Sequence, residues 1–189
     1  MKPLYKITYL FFLFISCKTQ FINHGESLKI SPTKNDALLG VQSKSFRGTV
    51  FTEKYPFLQL HVSDIDSLKR FTPTLDELQK VEYLLSKNLK FINKNRINQS
   101  HGNPIIHRNL NKYFRQYVGF ITEEGDRIIH VNLYWDEYTF TDRVKGYQDN
   151  RLKYNSDYAR VLDGGSYYWQ INVNLTKGQL SHLRINGVS

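Results

Sequence analysis

A two-residue alternation of apolar and polar side chains in the C-terminal half of the chain constrains the fold more than any other feature. Apolar residues occupy every second position from Ile129 to Trp135 and from Tyr167 to Leu175, and Leu183 and Ile185 continue the pattern. Successive side chains of a β-strand point to opposite faces of its sheet. The alternation therefore predicts strands that each have one apolar and one polar face.

The segment 113–122 shows the same alternation, and we expect Phe114, Val118 and Phe120 on its apolar face. The residues that follow, 123–126, read Glu-Glu-Gly-Asp and are typical of a tight turn. Residues 113–135 are therefore predicted to form a β-hairpin.

Residues 75–92 show the period of an amphipathic helix. Apolar side chains recur there at steps of three and four residues, which places them on one face of a helix: Leu75, Leu78, Val81, Leu85, Leu89 and Ile92. Thr74 lies three residues before Glu77, the spacing of a capping box at a helix N-terminus. We expect this helix to cover the apolar face of the sheet.

Together these segments predict an α+β fold in which one amphipathic helix packs on an antiparallel sheet of about four strands. The order of elements over residues 74–187, a helix followed by strands, resembles the cystatin-like and nuclear-transport-factor-like domains. This resemblance rests on element order and implies the fold alone, so no functional residue is carried over from it.

The first 17 residues have the pattern of an export signal. Lys2 and Lys6 make the start basic, and an apolar stretch of about nine residues follows, from Ile7 to Ile15. A helix needs about 20 residues to cross a bilayer, so this stretch fits a signal peptide better than a membrane span. The small residue Ser16 then precedes Cys17.

This segment resembles the lipobox of bacterial lipoproteins, in which a small residue precedes a lipid-modified cysteine. Phe14 stands where that family usually has leucine. The resemblance implies that residues 1–16 are removed and that Cys17 carries acyl chains, two of which hold a protein on a membrane stably. An ordinary cleaved signal and an uncleaved anchor are the alternatives.

By the same resemblance, Lys18 stands where an inner-membrane lipoprotein would usually carry Asp, which favours the periplasmic face of the outer membrane. Residues 17–45 are rich in polar residues and show little periodicity. We expect them to form the lipidated cysteine and a flexible tether. Residues 46–189 are expected to form a single domain, with one or two short strands in 46–62 that include the alternation over 58–62.

The composition argues against several classes of function. The net charge of +9 falls to +7 when Lys2 and Lys6 are removed, and the basic residues are scattered in runs of at most two. Such scatter is typical of a solvated surface rather than of a nucleic-acid site. The single cysteine excludes an intramolecular disulfide and a thiolate metal cluster. No nucleotide-binding or calcium-binding motif is present, so no cofactor or metal is expected.

The polar face of the predicted sheet is the candidate binding site. Tyrosine and asparagine side chains offer stacking surface and hydrogen bonds, which suits recognition. The residues expected to project from this face are His130, Asn132, Tyr134, Tyr168, Gln170, Asn172, Asn174, His182 and Arg184. An ordinary solvated face is the alternative interpretation.

These features favour a membrane-anchored envelope lipoprotein with a small, non-enzymatic binding domain. Its expected partners are the membrane, through the lipid on Cys17, and an envelope protein. A small hydrolase or lyase is an alternative, with a pocket between helix and sheet that uses His130, Tyr168 or Asp163. A lipid-binding or glycan-binding lipoprotein is a third interpretation. The sequence assigns no catalytic residue and no oligomeric state.

Overall fold

The computed structural model describes residues 27–57, 69–99, 102–146, 149, 151–158 and 160–187. Cys17, the signal segment and the alternation over 58–62 lie outside these ranges. Within them the chain forms eight strands and two α-helices, which follow one another as β1 (Lys29–Pro32), β2 (Leu38–Gln42), β3 (Arg47–Phe51), β4 (Lys69–Phe71), α1 (Leu75–Ile92), β5 (Tyr113–Ile121), β6 (Arg127–Trp135), α2 (Phe140–Val144), β7 (Tyr168–Asn174) and β8 (Gln179–Ile185). Four single 3₁₀ turns lie at Ile106–Arg108, Leu110–Lys112, Lys153–Asn155 and Gly165–Tyr167.

All eight strands belong to one mixed sheet with the order β1-β2-β3-β5-β6-β7-β8, and β4 pairs with β5 beside β3. The β3–β5 pair is parallel and the other pairs are antiparallel. The predicted fold of one helix on about four antiparallel strands is therefore wrong, because the protein is mostly β. β3 falls within 46–62, where one or two short strands were predicted, whereas β1, β2 and β4 were missed; these three have only three to five residues each, too few for an alternation to stand out.

The first two strands occupy part of the expected tether. β1 and β2 form an antiparallel hairpin, and Leu28, Leu38 and Val41 are buried in the domain. The turn between the strands is built by polar side chains: the Ala37 amide donates to Asn35 Oδ1 at 2.9 Å. Asn and Thr favour such turns as much as they favour linkers. The predicted tether over 17–45 therefore extends too far into the domain.

Helix α1 has the predicted bounds, and its predicted capping box is present. The Glu77 amide donates to Thr74 Oγ1 at 3.3 Å, and the Thr74 amide donates to Glu77 Oε2 at 3.0 Å. The helix packs its buried leucines and Val81 on one face of the sheet. No helix in the described ranges is both long and apolar enough to span a membrane.

The side of β5 that faces this helix is the opposite of the one predicted. Tyr113 and Tyr117 pack in the core under α1, whereas Phe114, Val118 and Phe120 lie on the other face. Every residue of β5 from Tyr113 to Phe120 is buried, so the strand has no solvated face to mark its orientation.

One residue on the helix side of β5, Arg115, is charged and yet buried. The Arg115 side chain is 1% exposed and its Nε donates to Glu82 Oε1 at 3.0 Å. Its guanidinium carbon also lies 3.4 Å from the centre of the Phe46 ring. The ion pair with α1 and the cation–π contact stabilise a charge that the interior would otherwise exclude.

The connection between β6 and β7 covers part of the other sheet face. Its Tyr158 packs edge-on against Phe51, with ring centres 5.6 Å apart. Its Tyr154 stacks on Tyr134 of β6 at 4.4 Å. The domain therefore has three layers: helix α1, the sheet, and this connection.

Candidate functional site

The polar residues on the sheet face away from α1 are arranged in rows that run across the strands. Residues directly opposite each other in an antiparallel pair share a face. One row is Val118, His130, Asn172 and Ser181, the next is Gln116, Asn132, Gln170 and Arg184, and the third is Phe114, Tyr134 and Tyr168. All the predicted binding residues except His182 therefore lie on one face. Asn174 lies outside these three rows, at the end of β7.

His182 departs from the predicted register because β8 contains a bulge. The register shifts between Gln170 and Asn172, so that Ser181, and not His182, lies opposite Asn172. His182 has a positive φ of 52°. A bulge inserts one extra residue and leaves it unpaired, which a period of two in the sequence does not reveal.

His130 lies at the centre of the first row and uses both ring nitrogens. Nδ1 lies 2.8 Å from Asn172 Oδ1, and Nε2 lies 3.0 Å from the Tyr158 hydroxyl. An amide oxygen only accepts, so Nδ1 carries the proton and Nε2 accepts from the tyrosine. Burial lowers the pKa of His130 to about 4, the Asn172 hydrogen bond opposes this shift, and the nearby positive charge of Arg184 adds to it. The imidazole is therefore neutral at pH 7.

The half of the face nearest β5 is covered. Gln116 is fully buried, and its Nε2 donates to the carbonyls of Tyr154 and Asp157, each at 2.8 Å. Burial raises the pKa values of Tyr134 and Tyr158 above the ordinary tyrosine value, so both phenols keep their protons. This half forms a neutral hydrogen-bonded network that holds the β6–β7 connection on the sheet.

The half of the face formed by β7 and β8 remains accessible. Gln170, Asn172 and Ser181 on this face are partly exposed and Arg184 is exposed; His182 is exposed beside them, where the bulge takes it out of the row. We call these five residues the β7–β8 strip. In the part of the chain that the structure describes, Arg184 has no ion-pair partner. The strip thus offers one cation and several neutral hydrogen-bonding groups.

The residues proposed for a pocket between helix and sheet do not meet there. His130 and Tyr168 lie on the face away from α1. The segment 163–166 forms a turn in which Gly164 has a φ of 87°, and Ser166 Oγ donates to the Pro104 carbonyl at 2.6 Å. That serine is fully buried. Gly164 therefore serves the turn, and Ser166 ties it to the loop that contains Pro104.

Sequence reasoning did not find Gln116, Tyr154, Tyr158 or Ser181 as parts of this face. Gln116 lies on the side of β5 that was predicted to face the helix. Both tyrosines lie in a stretch with no clear period. Their contacts join residues about 30 to 40 positions apart, such as His130 with Tyr158, for which no local pattern exists. Among the described residues, no group of three or more His, Cys, Asp or Glu side chains is placed to hold a metal ion.

Comparison with protein families, with curated proteins and with solved structures gives no match to this chain.

Proposed function

We propose that this protein is a lipid-anchored bacterial envelope lipoprotein whose domain binds a partner through the β7–β8 strip. The lipobox-like segment that ends at Cys17 supports the anchor. Exposure of Arg184 beside partly exposed amide side chains supports the binding role. The domain acts by recognition and carries out no reaction on its partner.

The single observation that carries this proposal is the exposed Arg184 guanidinium, which lacks an ion-pair partner within the described ranges. A guanidinium forms paired hydrogen bonds with a carboxylate or phosphate group. Gln170 lies directly opposite Arg184 in the same row and offers further hydrogen bonds. We therefore expect the partner to present an acidic group to this row.

The network under the strip supports recognition rather than catalysis. Asn172 is held by His130, which is itself held by Tyr158, so the row is positioned before a partner arrives. Both nitrogens of the neutral imidazole are already engaged, which leaves neither one available to take up a substrate proton.

Site-specific photocrosslinking in intact envelopes tests the binding role. A photoreactive phenylalanine analogue replaces Ser181 in the strip or, as a control, Lys87 on the exposed side of α1. We expect a covalent adduct of defined mass from position 181 and none from position 87. Arg184→Glu should abolish the adduct at 181 by charge repulsion. Equal adducts at both positions, or no adduct at 181, would contradict the proposal.

Intact-mass analysis of the processed protein tests the anchor independently. We expect a chain that begins at Cys17 and carries the added mass of acyl groups. Cys17→Ser should release the protein from the membrane pellet. An unmodified cysteine would remove the anchor from the proposal without affecting the crosslinking result.

A further inference from the structure

The chain that leads from Cys17 enters the sheet at a defined end. Lys29 begins β1 and pairs with Gln42, which pairs with Arg47. Arg47 in turn forms a two-point ion pair with Asp136, directly after β6, at 2.8 and 2.7 Å. The start of β1 and the start of the β6–β7 connection therefore lie at the same end of the sheet, which we call the entry end.

The β6–β7 connection exposes large apolar side chains, each more than two-thirds accessible: Phe140 (80%), Val144 (69%), Leu152 (75%) and Leu162 (76%). Phe140 and Val144 are four residues apart on α2, so they share one helix face. Adjacent exposed apolar side chains, such as this pair, form the kind of patch that marks protein or membrane contacts, whereas single exposed apolar residues do not.

Contacts made by neighbouring residues place Leu152 and Leu162 at the entry end. Arg151 lies over the Tyr138 ring at 5.4 Å, close to the end of β6. Asn186, which follows β8 at the same end, donates to the Val161 carbonyl at 2.6 Å. The apolar side chains next to these contacts therefore belong to this end of the sheet.

The C-terminal end of α1 adds two more exposed apolar residues to the entry end. The helix begins beside the start of β6, where Glu77 pairs with Arg127 at 2.6 Å, and runs towards the opposite end of that strand. Beyond the helix, Asn98 donates to the Asn186 carbonyl at 2.7 Å. Phe91, 78% exposed, and Ile97, 64% exposed, therefore lie towards the entry end of the domain, Phe91 on the helix layer and so on the other side of the sheet from the β6–β7 connection.

The entry end is also basic. The acidic residues of 136–149 are already engaged: three pair with Arg47, Lys112 and Arg151, and Asp142 caps α2. Six entry-end cations have no ion-pair partner among the residues that the structure describes: Lys29, Lys44, Lys90, Lys94, Arg143 and Lys145. The opposite end carries the β5–β6 turn, in which Asp126 pairs with Lys177 while Glu123 and Glu124 have no ion-pair partner among the described residues.

The length of chain before β1 limits where this end lies relative to the anchor. Eleven residues separate Cys17 from Lys29. Whatever their conformation, they span at most about 40 Å. An acylated Cys17 would therefore be joined to the domain directly at its entry end, and the opposite end lies about 30 Å farther along the sheet, the length of the nine residues of β5.

We propose that the entry end docks on an anionic phospholipid surface, with Phe140 and Val144 in the headgroup–acyl boundary and Arg143 and Lys145 among the headgroups. Lys is depleted in the cores of protein–protein interfaces, whereas apolar residues with flanking Lys and Arg are typical of membrane-surface segments. This contact is separate from the β7–β8 strip and depends on the proposed anchor only for its orientation. It leaves the strip free for a partner.

Fluorescence quenching by brominated lipid tests this docking with the full lipid-bearing protein in vesicles. Phe140→Trp reports from the entry end, and Tyr83→Trp, at a 43% exposed position of α1, is the matched control. Trp135 and Trp169 contribute equally to both variants. In vesicles of phosphatidylcholine with phosphatidylglycerol, we expect bromolipid to quench the Phe140→Trp variant and to leave the control at the native level.

The charge dependence gives the second readout. In the Phe140→Trp background, Arg143→Gln and Lys145→Gln should each lower the ratio of docked to undocked protein about fivefold. Reduced quenching by bromolipid measures this change. Vesicles of phosphatidylcholine alone should reduce it as well. Equal quenching in the two tryptophan variants, no dependence on phosphatidylglycerol, or shielding of position 140 only after addition of envelope protein would overturn the proposal. A failed anchor is recognised separately, because the protein then leaves the vesicle pellet.

Discussion

Buried polar residues on both sheet faces have partners from distant parts of the chain. Arg115 under the helix pairs with Glu82, and Gln116 on the other face donates to two carbonyls of the β6–β7 connection. A buried polar group without a partner costs about 1–3 kcal/mol, so these contacts are needed for the strands to lie as they do. They also fix the face that each residue of β5 occupies.

His130 makes stability depend on pH. Its pKa falls from 6.5 to about 4 on folding, mainly through burial. The unfolded chain therefore binds a proton between pH 6.5 and 4 that the folded protein excludes. Stability should fall as the pH is lowered through this window, by roughly 3 kcal/mol in total from this residue.

Urea unfolding at pH 7 and pH 4.5 measures this effect. His130→Gln removes the titrating group and should flatten the difference between the two pH values, even if it lowers stability at both. His182→Gln, at an exposed histidine, is the control and should keep the native pH dependence. If His130→Gln retained the native difference, burial of a neutral imidazole would not be its source.

At the scale of single elements, α1 and the β5–β6 hairpin were predicted from local patterns, and the structure confirms their positions. Both carry at least two full periods of their pattern. The face of β5 that meets the helix was predicted wrongly because the strand is buried on both faces, so the alternation of its side chains does not show which face lies under α1. The short strands β1, β2 and β4 had no pattern long enough to identify, and β3 was predicted only as a short strand somewhere within 46–62.

The capping box of α1 predicts a measurable contribution to stability. Thr74→Ala removes the acceptor for the Glu77 amide and should cost about 1 kcal/mol. Thr139→Ala breaks the equivalent capping box of α2, a five-residue helix with no buried residue, and should have little effect. Urea unfolding followed by far-ultraviolet circular dichroism measures both. Equal losses in the two variants would show that cap strength does not depend on the packing of its helix.

At the scale of the whole molecule, β1 and β2 belong to the domain and not to the tether. Leu28 and Val41 pack in the core under α1, and Leu38 packs on the other face. A fully buried apolar side chain contributes about 1.5–3 kcal/mol, so loss of all three approaches the whole stability of an ordinary domain. Removal of the hairpin would also expose the edge of β3.

Two truncated chains test this contribution. A chain that begins at residue 27 should unfold in one cooperative thermal transition. A chain that begins at residue 46 should lose that transition or aggregate. If both chains melted cooperatively at the same temperature, the hairpin would be dispensable and the domain would begin near the boundary that the sequence predicted.

The sequence by itself determined the elements whose cause is local: the bounds and cap of α1, the β5–β6 hairpin, and the alternating faces of β6 and β7. Only the tertiary structure decided that β3 lies parallel to β5, that the β6–β7 connection covers half of the polar face, and that a bulge displaces His182. It also gathered at the entry end Phe91, Phe140 and several cations that have no ion-pair partner among the described residues. The physical reason is that periodicity reports contacts a few residues apart, whereas these arrangements depend on contacts between residues far apart in the chain.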